Sequence, residues 1–157
     1  MGEKARFYLR TPRDWWEKLD ADHFCFTLDA AADADNALCE SYYDEEMDGL
    51  MQDWKGTVWV SASWTEPMIG EWVRKARYES ITNHATVVML LPVRTHADWW
   101  HDSVMEAAEI WFLTEPLDFK PPPGYRLESV EQHCLVIFRE SDGEDGPVLR
   151  SYSGQVA

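Results

Sequence analysis

Apolar residues along the chain fall into short runs separated by polar, helix-periodic stretches. "ATVVMLL" at 85–91 is a continuous apolar run of strand length between Asn83-His84 and Pro92, the pattern of a central strand covered on both faces. Thr57-Val58-Trp59-Val60 reads the same way. Ile69, Trp72, Val73 and Ala76 recur at i, i+3, i+4 and i+7, which puts one apolar stripe on a helix from about Pro67 to Ser80. Thr11-Pro12-Arg13-Asp14 predicts a helix start, with the Thr11 hydroxyl as cap, Pro12 in the first turn and a helix running to about Leu19.

"HFCFTLD" predicts a short buried strand ending at Asp29, and the small, acidic segment after it predicts a short helix around Asp35 to Cys39 followed by loop. Beyond Pro92 the pattern gives a helix near Ala97 to Ala108, a strand "IWFLT", the Pro-rich turn "KPPPGY" and a strand "HCLVIFR". Alternating strands and helices define an α/β class, here one domain over residues 1–139 with a largely parallel sheet flanked by helices. Residues 140–157 are polar and Gly-rich and are expected to form a mobile or lightly docked tail.

Composition sharpens this picture. The 157 residues fit one domain, and 45% hydrophobic residues with nine Trp belong to a globular protein. No run approaches the roughly 18 to 20 apolar residues of a membrane span, and "MGEKARFYLR" lacks a signal-peptide core, so a cytoplasmic location is expected. Cys25, Cys39 and Cys134 form no CxxC pair and read as reduced, structural residues.

The net charge of −15 argues against a nucleic-acid-binding surface, which needs clustered Lys and Arg to displace counterions from phosphates. The densest positive stretch, Arg74-Lys75-x-Arg77, is one helix face. Three origins of the acidity stand open: adaptation to a halophilic host, imitation of DNA towards a basic or nucleic-acid-binding protein partner, or plain solubility.

Candidate chemistry is sparse. His96 and His101, with Asp98 and Asp102, lack the HExxH spacing and have no thiolate nearby, so they read as a solvated helix face and no metal site is expected. Neither GxGxxG nor a Walker pattern is present. Trp64, Trp72, Trp99 and Trp100 would make a base-stacking platform if they converged, yet the last three are placed to pack helices onto the sheet. Trp64 has the least reason to be buried.

From Phe7 to Arg139 the order of local signatures resembles the phage-type DNA N6-adenine methyltransferase (Dam) family. The matching parts are the Thr-Pro at 11–12, "FTLDAAA", "NALC", Asp48-Gly49-Leu50, "WKGTVWV" and "LLPVRT". The resemblance implies a methyltransferase-like (Rossmann-like) α/β fold and binding of S-adenosylmethionine. It implies cofactor-side roles for Thr11, Pro12, Asp29, Asn36 and Asp48. A carboxylate at the carboxyl end of a parallel strand, as Asp29 is expected to be, sits where such sheets bind ligands. Thr11 as a simple helix cap and Asp48-Gly49 as a simple turn are the alternatives.

In the resembling family, the strand read here as "VWV" runs into Asn-Pro-Pro-Tyr, whose Asn accepts from the target adenine amino group while a backbone carbonyl accepts the second hydrogen and the aromatic ring stacks on the flipped base. Here the four positions are Ser61, Ala62, Ser63 and Trp64. A Ser hydroxyl is shorter than Asn and also a donor, and Ala and Ser leave the backbone unfixed. Glu115-Pro116 replaces a Gly-Arg, and "ESVEQHC" stands where the family carries Ala-Pro-Phe-Pro.

The expectation is therefore a degenerate viral or prophage homologue, catalytically inactive, with weak or no direct DNA binding. It would bind S-adenosylmethionine, a host nucleic-acid-binding or defence factor, or both. The alternatives are an active site-specific adenine-N6 methyltransferase, in which Ser61 is the acceptor and Trp64 stacks the base, and a structural viral component.

Overall fold

The computed structural model describes residues 10–117, 131–140 and 145–154. Among the described residues six strands form one sheet: β1 (Leu28–Asp29), β2 (Thr57–Val60), β3 (Thr86–Pro92), β4 (Glu109–Leu113), β5 (His133–Phe138) and β6 (Val148–Tyr152), in the order β1-β2-β3-β5-β4-β6. The pairs β1–β2, β2–β3 and β4–β6 are parallel, and β5 is antiparallel to both β3 and β4. Five strands therefore point one way with β5 reversed among them, which agrees with the largely parallel α/β sheet expected.

Both faces of the sheet are covered, and the strand side chains divide between them by simple alternation. Val58, Val60, Val87, Met89, Leu91, Ile110, Cys134, Val136 and Phe138 join one core with helix α2 (Met68–Thr82) and helix α3 (Asp98–Asp102). Trp59, Val88, Leu90, Trp111, Leu135 and Ile137 face the other way, onto helix α1 (Arg13–Leu19). The predicted stripe of α2 is the buried one, since Ile69, Trp72, Val73 and Ala76 are all in the core. Trp99 and Trp100 anchor α3 at 2% and 4% exposure, as packing required.

Buried polar groups staple the edges. Glu79 of α2, fully buried, accepts from the backbone N–H of Trp54 at 3.1 Å and from Lys75 at 2.6 Å, and also from Asn83. Glu109 of β4 binds Arg139 at 2.6 Å and Arg150 at 2.8 Å, which ties β4 to β5 and β6.

Several local expectations are corrected. Pro12 is itself the residue capping α1, with no side-chain cap hydrogen bond, so Thr11 is not the cap. The expected strand "HFCFTLD" shrinks to Leu28–Asp29 because α1 continues as a π-helical turn over Asp20–Phe24 and stops at Cys25 in the left-handed region (φ 59°). His23 and Phe24 are held there by Trp111, with ring centroids at 5.0 Å and 5.5 Å.

No helix forms at Asp35 to Cys39. The Asp33 carboxylate accepts from the N–H groups of Asp35 and Asn36, and Asn36 Oδ1 accepts from Asp33 N at 2.8 Å. These local bonds outcompete the helix. The helix expected to Ala108 ends at Asp102 and resumes as a 3-10 turn over Val104–Glu106, with Ser103 (φ −131°) breaking it and bonding Asp102. Val148–Tyr152, within the expected polar tail, is the edge strand β6. The "KPPPGY" turn lies outside the described residues.

Candidate active site

Strands β1 and β2 run parallel with Asp29 opposite Trp59, so both end at the same rim of the sheet. Such a rim is where open α/β sheets hold ligands. The chain leaves β1 through Ala30-Ala31-Ala32 and leaves β2 through Ser61-Ala62-Ser63-Trp64, and two hollows open on either side of these exits.

The larger is a cavity of about 340 Å³ on the α2 side. Ala30 to Ala32 and Gly49 form its floor, Leu50, Met68 and Trp72 its apolar wall, Tyr43 and Ser63 its polar wall, and Asp44, Glu45 and Asp48 its acidic edge. A Cβ on Gly49 would meet the carbonyl oxygen of Ala30 at 2.2 Å, so only glycine permits this approach. Trp72 is fixed by stacking on the buried Trp54, ring centroids 6.0 Å apart.

The smaller hollow is about 20 Å³, on the α1 side, lined by Arg10, Thr11, Asp29, Asn36, Trp59 and Ser61 among others. Asp29 is only 3% exposed. Burial pushes its carboxyl up to about 7, against the N–H groups of Leu38 (3.1 Å) and Ala31 (3.4 Å), which favour the charged form.

The structure thus gathers Thr11, Asn36, Asp29 and the motif residue Ser61 around one small hollow. It puts Asp48 in the other hollow. Asp48 sits in the left-handed region (φ 57°) and caps the 3-10 turn Gly49–Met51 through Leu50 N, so it makes the local turn as well as lining the cavity. Pro12 lines neither hollow and accepts from Trp16 N in the first turn of α1.

Trp64, expected to be the least buried tryptophan, is half-buried. Its indole N–H donates to Leu90 O at 3.1 Å and its ring packs on His133 with centroids 4.9 Å apart. The wall formed by Tyr43, Leu50, Met68 and Trp72 was missed from the sequence. Its one legible signal is small residues facing one another, the three alanines and Gly49, which mark a close backbone approach.

His96 and His101 are exposed, and among the described residues no group of three His, Cys, Asp or Glu is placed to hold a metal ion. The cysteines are free thiols, with Cys134 buried, Cys39 half-buried and Cys25 exposed. Among the described residues no helix is long and apolar enough to cross a membrane.

A six-stranded α/β sheet with a small-molecule-sized cavity at the ends of adjacent parallel strands is the architecture of a methyltransferase-like protein. The profile of the family described as DNA N-6-adenine-methyltransferase (Dam) matches residues 3–144, and the chain belongs to that family. It is 33% identical over 122 residues to a DNA N-6-adenine-methyltransferase of Escherichia phage T1, covering 74% of this chain and 50% of the relative. It is 30% identical over 104 residues to a DNA N-6-adenine-methyltransferase of Haemophilus phage HP1 (strain HP1c1), covering 64% of this chain and 59% of the relative. The chain therefore spans about half to three-fifths of the length of these relatives.

Proposed function

We propose that this chain acts in methylation of adenine N6 in DNA, with S-adenosylmethionine as methyl donor. The observation that carries the reading is the coincidence of a family match over residues 3–144 with a cavity of about 340 Å³ at the ends of the parallel strands. That volume lies within the roughly 300–1,000 Å³ of small-molecule sites.

The cavity's chemistry fits the cofactor. The Trp72 face with Leu50 and Met68 suits an adenine ring, and Asp44 and Asp48 suit hydroxyls and cationic groups. Bound there, the cofactor supplies an activated methyl group on a sulfonium. The protein's part is orientation: Ser61 Oγ accepts from the target amino group, and Asp29 beside it takes up the proton lost from nitrogen. Thr11 and Asn36 complete the wall of that second hollow. At about 20 Å³ it holds a water-sized group and not the cofactor.

One observation favours a second reading. Ser61-Ala62-Ser63 stands where the family motif has Asn-Pro-Pro, and losing one preorganised electrostatic contact costs on the order of 10²–10³ in rate. A scaffold so altered would bind the cofactor, or a basic protein partner along its acidic edge, without transferring methyl.

One experiment separates the two. Purified protein is incubated with labelled S-adenosylmethionine and unmethylated duplex DNA, the DNA is digested, and N6-methyladenine is quantified beside a calorimetric titration of the cofactor. N6-methyladenine above background establishes the enzyme. Cofactor binding without transfer establishes the second reading, and neither retires both cofactor readings.

A further inference from the structure

The motif loop Ser61-Ala62-Ser63-Trp64 consists of three small residues and one large one. Nothing in its covalent structure fixes the backbone, yet it sits at the rim of both hollows. Among the described residues no backbone hydrogen bond is donated by Ala62 or Ser63. A segment of this kind loses substantial conformational entropy when held in one geometry.

Arg94, two residues beyond β3, reaches this loop. One of its terminal nitrogens donates to the Trp64 carbonyl at 2.6 Å. The other edge of its guanidinium is gripped by Glu131, just before β5, through a bidentate pair of 3.0 Å and 2.7 Å. Bidentate pairing fixes the plane and the aim of a guanidinium, which a single contact does not. Glu66 lies 4.0 Å from the same group and accepts from Trp99 Nε1 at 2.9 Å, so the stretch after the loop is tied to α3. The Trp64 indole bonds Leu90 O in β3. Trp64 is thus held at its carbonyl and at its ring by β3 and the turn that follows it.

We propose that the Arg94–Glu131 pair is the positioning device of this site, holding the Ser61–Trp64 loop in its working geometry through the Trp64 carbonyl. What the loop is positioned for rests on the methyl-transfer reading above; the clamp itself does not. Arg94 acts through the loop and is a positioning residue.

The test uses the full chain labelled with 5-fluorotryptophan, whose nine Trp give separate ¹⁹F resonances, with Trp64 assigned by Trp64→Phe and the fully buried Trp54 as internal reference. Arg94→Gln and the isosteric Glu131→Gln are each expected to shift and broaden the Trp64 line while the Trp54 line stays in place. Introducing Ala62→Pro with Ser63→Pro, which fixes φ at both positions covalently and removes no backbone hydrogen bond, is expected to restore a sharp Trp64 line in the Arg94→Gln protein. An unchanged Trp64 line in Glu131→Gln, or equal broadening of all nine lines in both single variants, overturns the proposal. So does an Arg94→Gln effect that is the same with and without the prolines. Methyl transfer assayed on the same proteins keeps the two claims apart: a Trp64 line that responds as expected, in proteins none of which transfers methyl, retires the enzyme and leaves the clamp standing.

Discussion

Asp29, which ends β1, and Ser61, which directly follows β2, line the same small hollow, because Asp29 is in register with Trp59 and Ser61 follows Trp59 by two residues. The period of two along a strand puts all three side chains on the α1 side of the sheet. A buried carboxylate and a hydroxyl thus meet at the ends of two parallel strands.

The Asp29 carboxylate makes stability depend on pH in an unusual direction. Its folded-state pKa of about 7 lies above that of an unfolded Asp, so between those values the folded protein holds a proton that the unfolded chain releases. Stability from this group is therefore fully present below the unfolded value of 3.8 and is lost progressively as pH rises from there through about 7. Asp29→Asn should remove that slope and stabilise the protein above neutrality by on the order of a few kcal/mol. Denaturant unfolding of both proteins at roughly pH 5 and pH 8 checks it, and a parent that is more stable at the higher pH contradicts it. Glu79, Glu109 and Glu131 act in the opposite sense. Burial opposes ionisation of Glu79 and Glu109, but their hydrogen bonds outweigh it, and Arg94 lowers Glu131, so their contributions fade only in stronger acid.

Ser61→Asn should raise methyl transfer, because a side-chain amide reaches further than a hydroxyl and offers a stronger acceptor to the target nitrogen. An increase on the order of 10²-fold in kcat is the scale of one such contact. Ser61→Ala should abolish whatever activity the parent has. Single-turnover assays on adenine-containing duplexes decide both, and a parent rate unaffected by Ser61→Ala removes Ser61 from the reaction.

Glu79→Ala should destabilise by about 3 kcal/mol, the cost of removing one partner from a buried pair. The change leaves the Trp54 N–H and the Lys75 ammonium without their acceptor. Glu79→Gln should cost less, since it keeps an acceptor for Trp54. Equal losses for the two variants in denaturant melts would show that the charge, and not the hydrogen bond, is what matters at this position.

Gly49→Ala should both destabilise and close the larger cavity. The new methyl would meet Ala30 O at 2.2 Å and the Trp72 ring at 3.1 Å, and the backbone must shift to admit it. Overpacking of this kind costs typically about 1–3 kcal/mol. Calorimetry should show cofactor binding weakened well beyond the loss in stability, whereas an unaltered affinity would move the cofactor out of this cavity.

Local pattern was enough to mark the central strands of the sheet and the layers that cover them. Runs such as 85–91 and 57–60 are apolar at every position but Thr86 and Thr57, and a strand sandwiched between two layers buries both of its faces, so strand identity and the α/β class follow from local composition. The stripe of α2 was legible for the same reason: period 3.6 is a one-dimensional signal. Asp29 and Ser61 could be placed at strand ends, because strand ends are marked by where an apolar run stops.

Other features are set by groups distant in the chain. His23 and Phe24 are drawn into a π-helical turn by Trp111, and Asp29 takes the N–H of Leu38 that a helix would have used. Val148–Tyr152 becomes a strand because β4 offers an open edge, although its own residues, four of them exposed, read as tail. The cavity wall joins Tyr43, Gly49 and Met68 with Trp72, and the clamp joins Arg94 with Glu131 across 37 residues. Local patterns report burial of a segment against its surroundings. They hold no information about which surface comes to meet it, and pockets and ion pairs are made of that meeting.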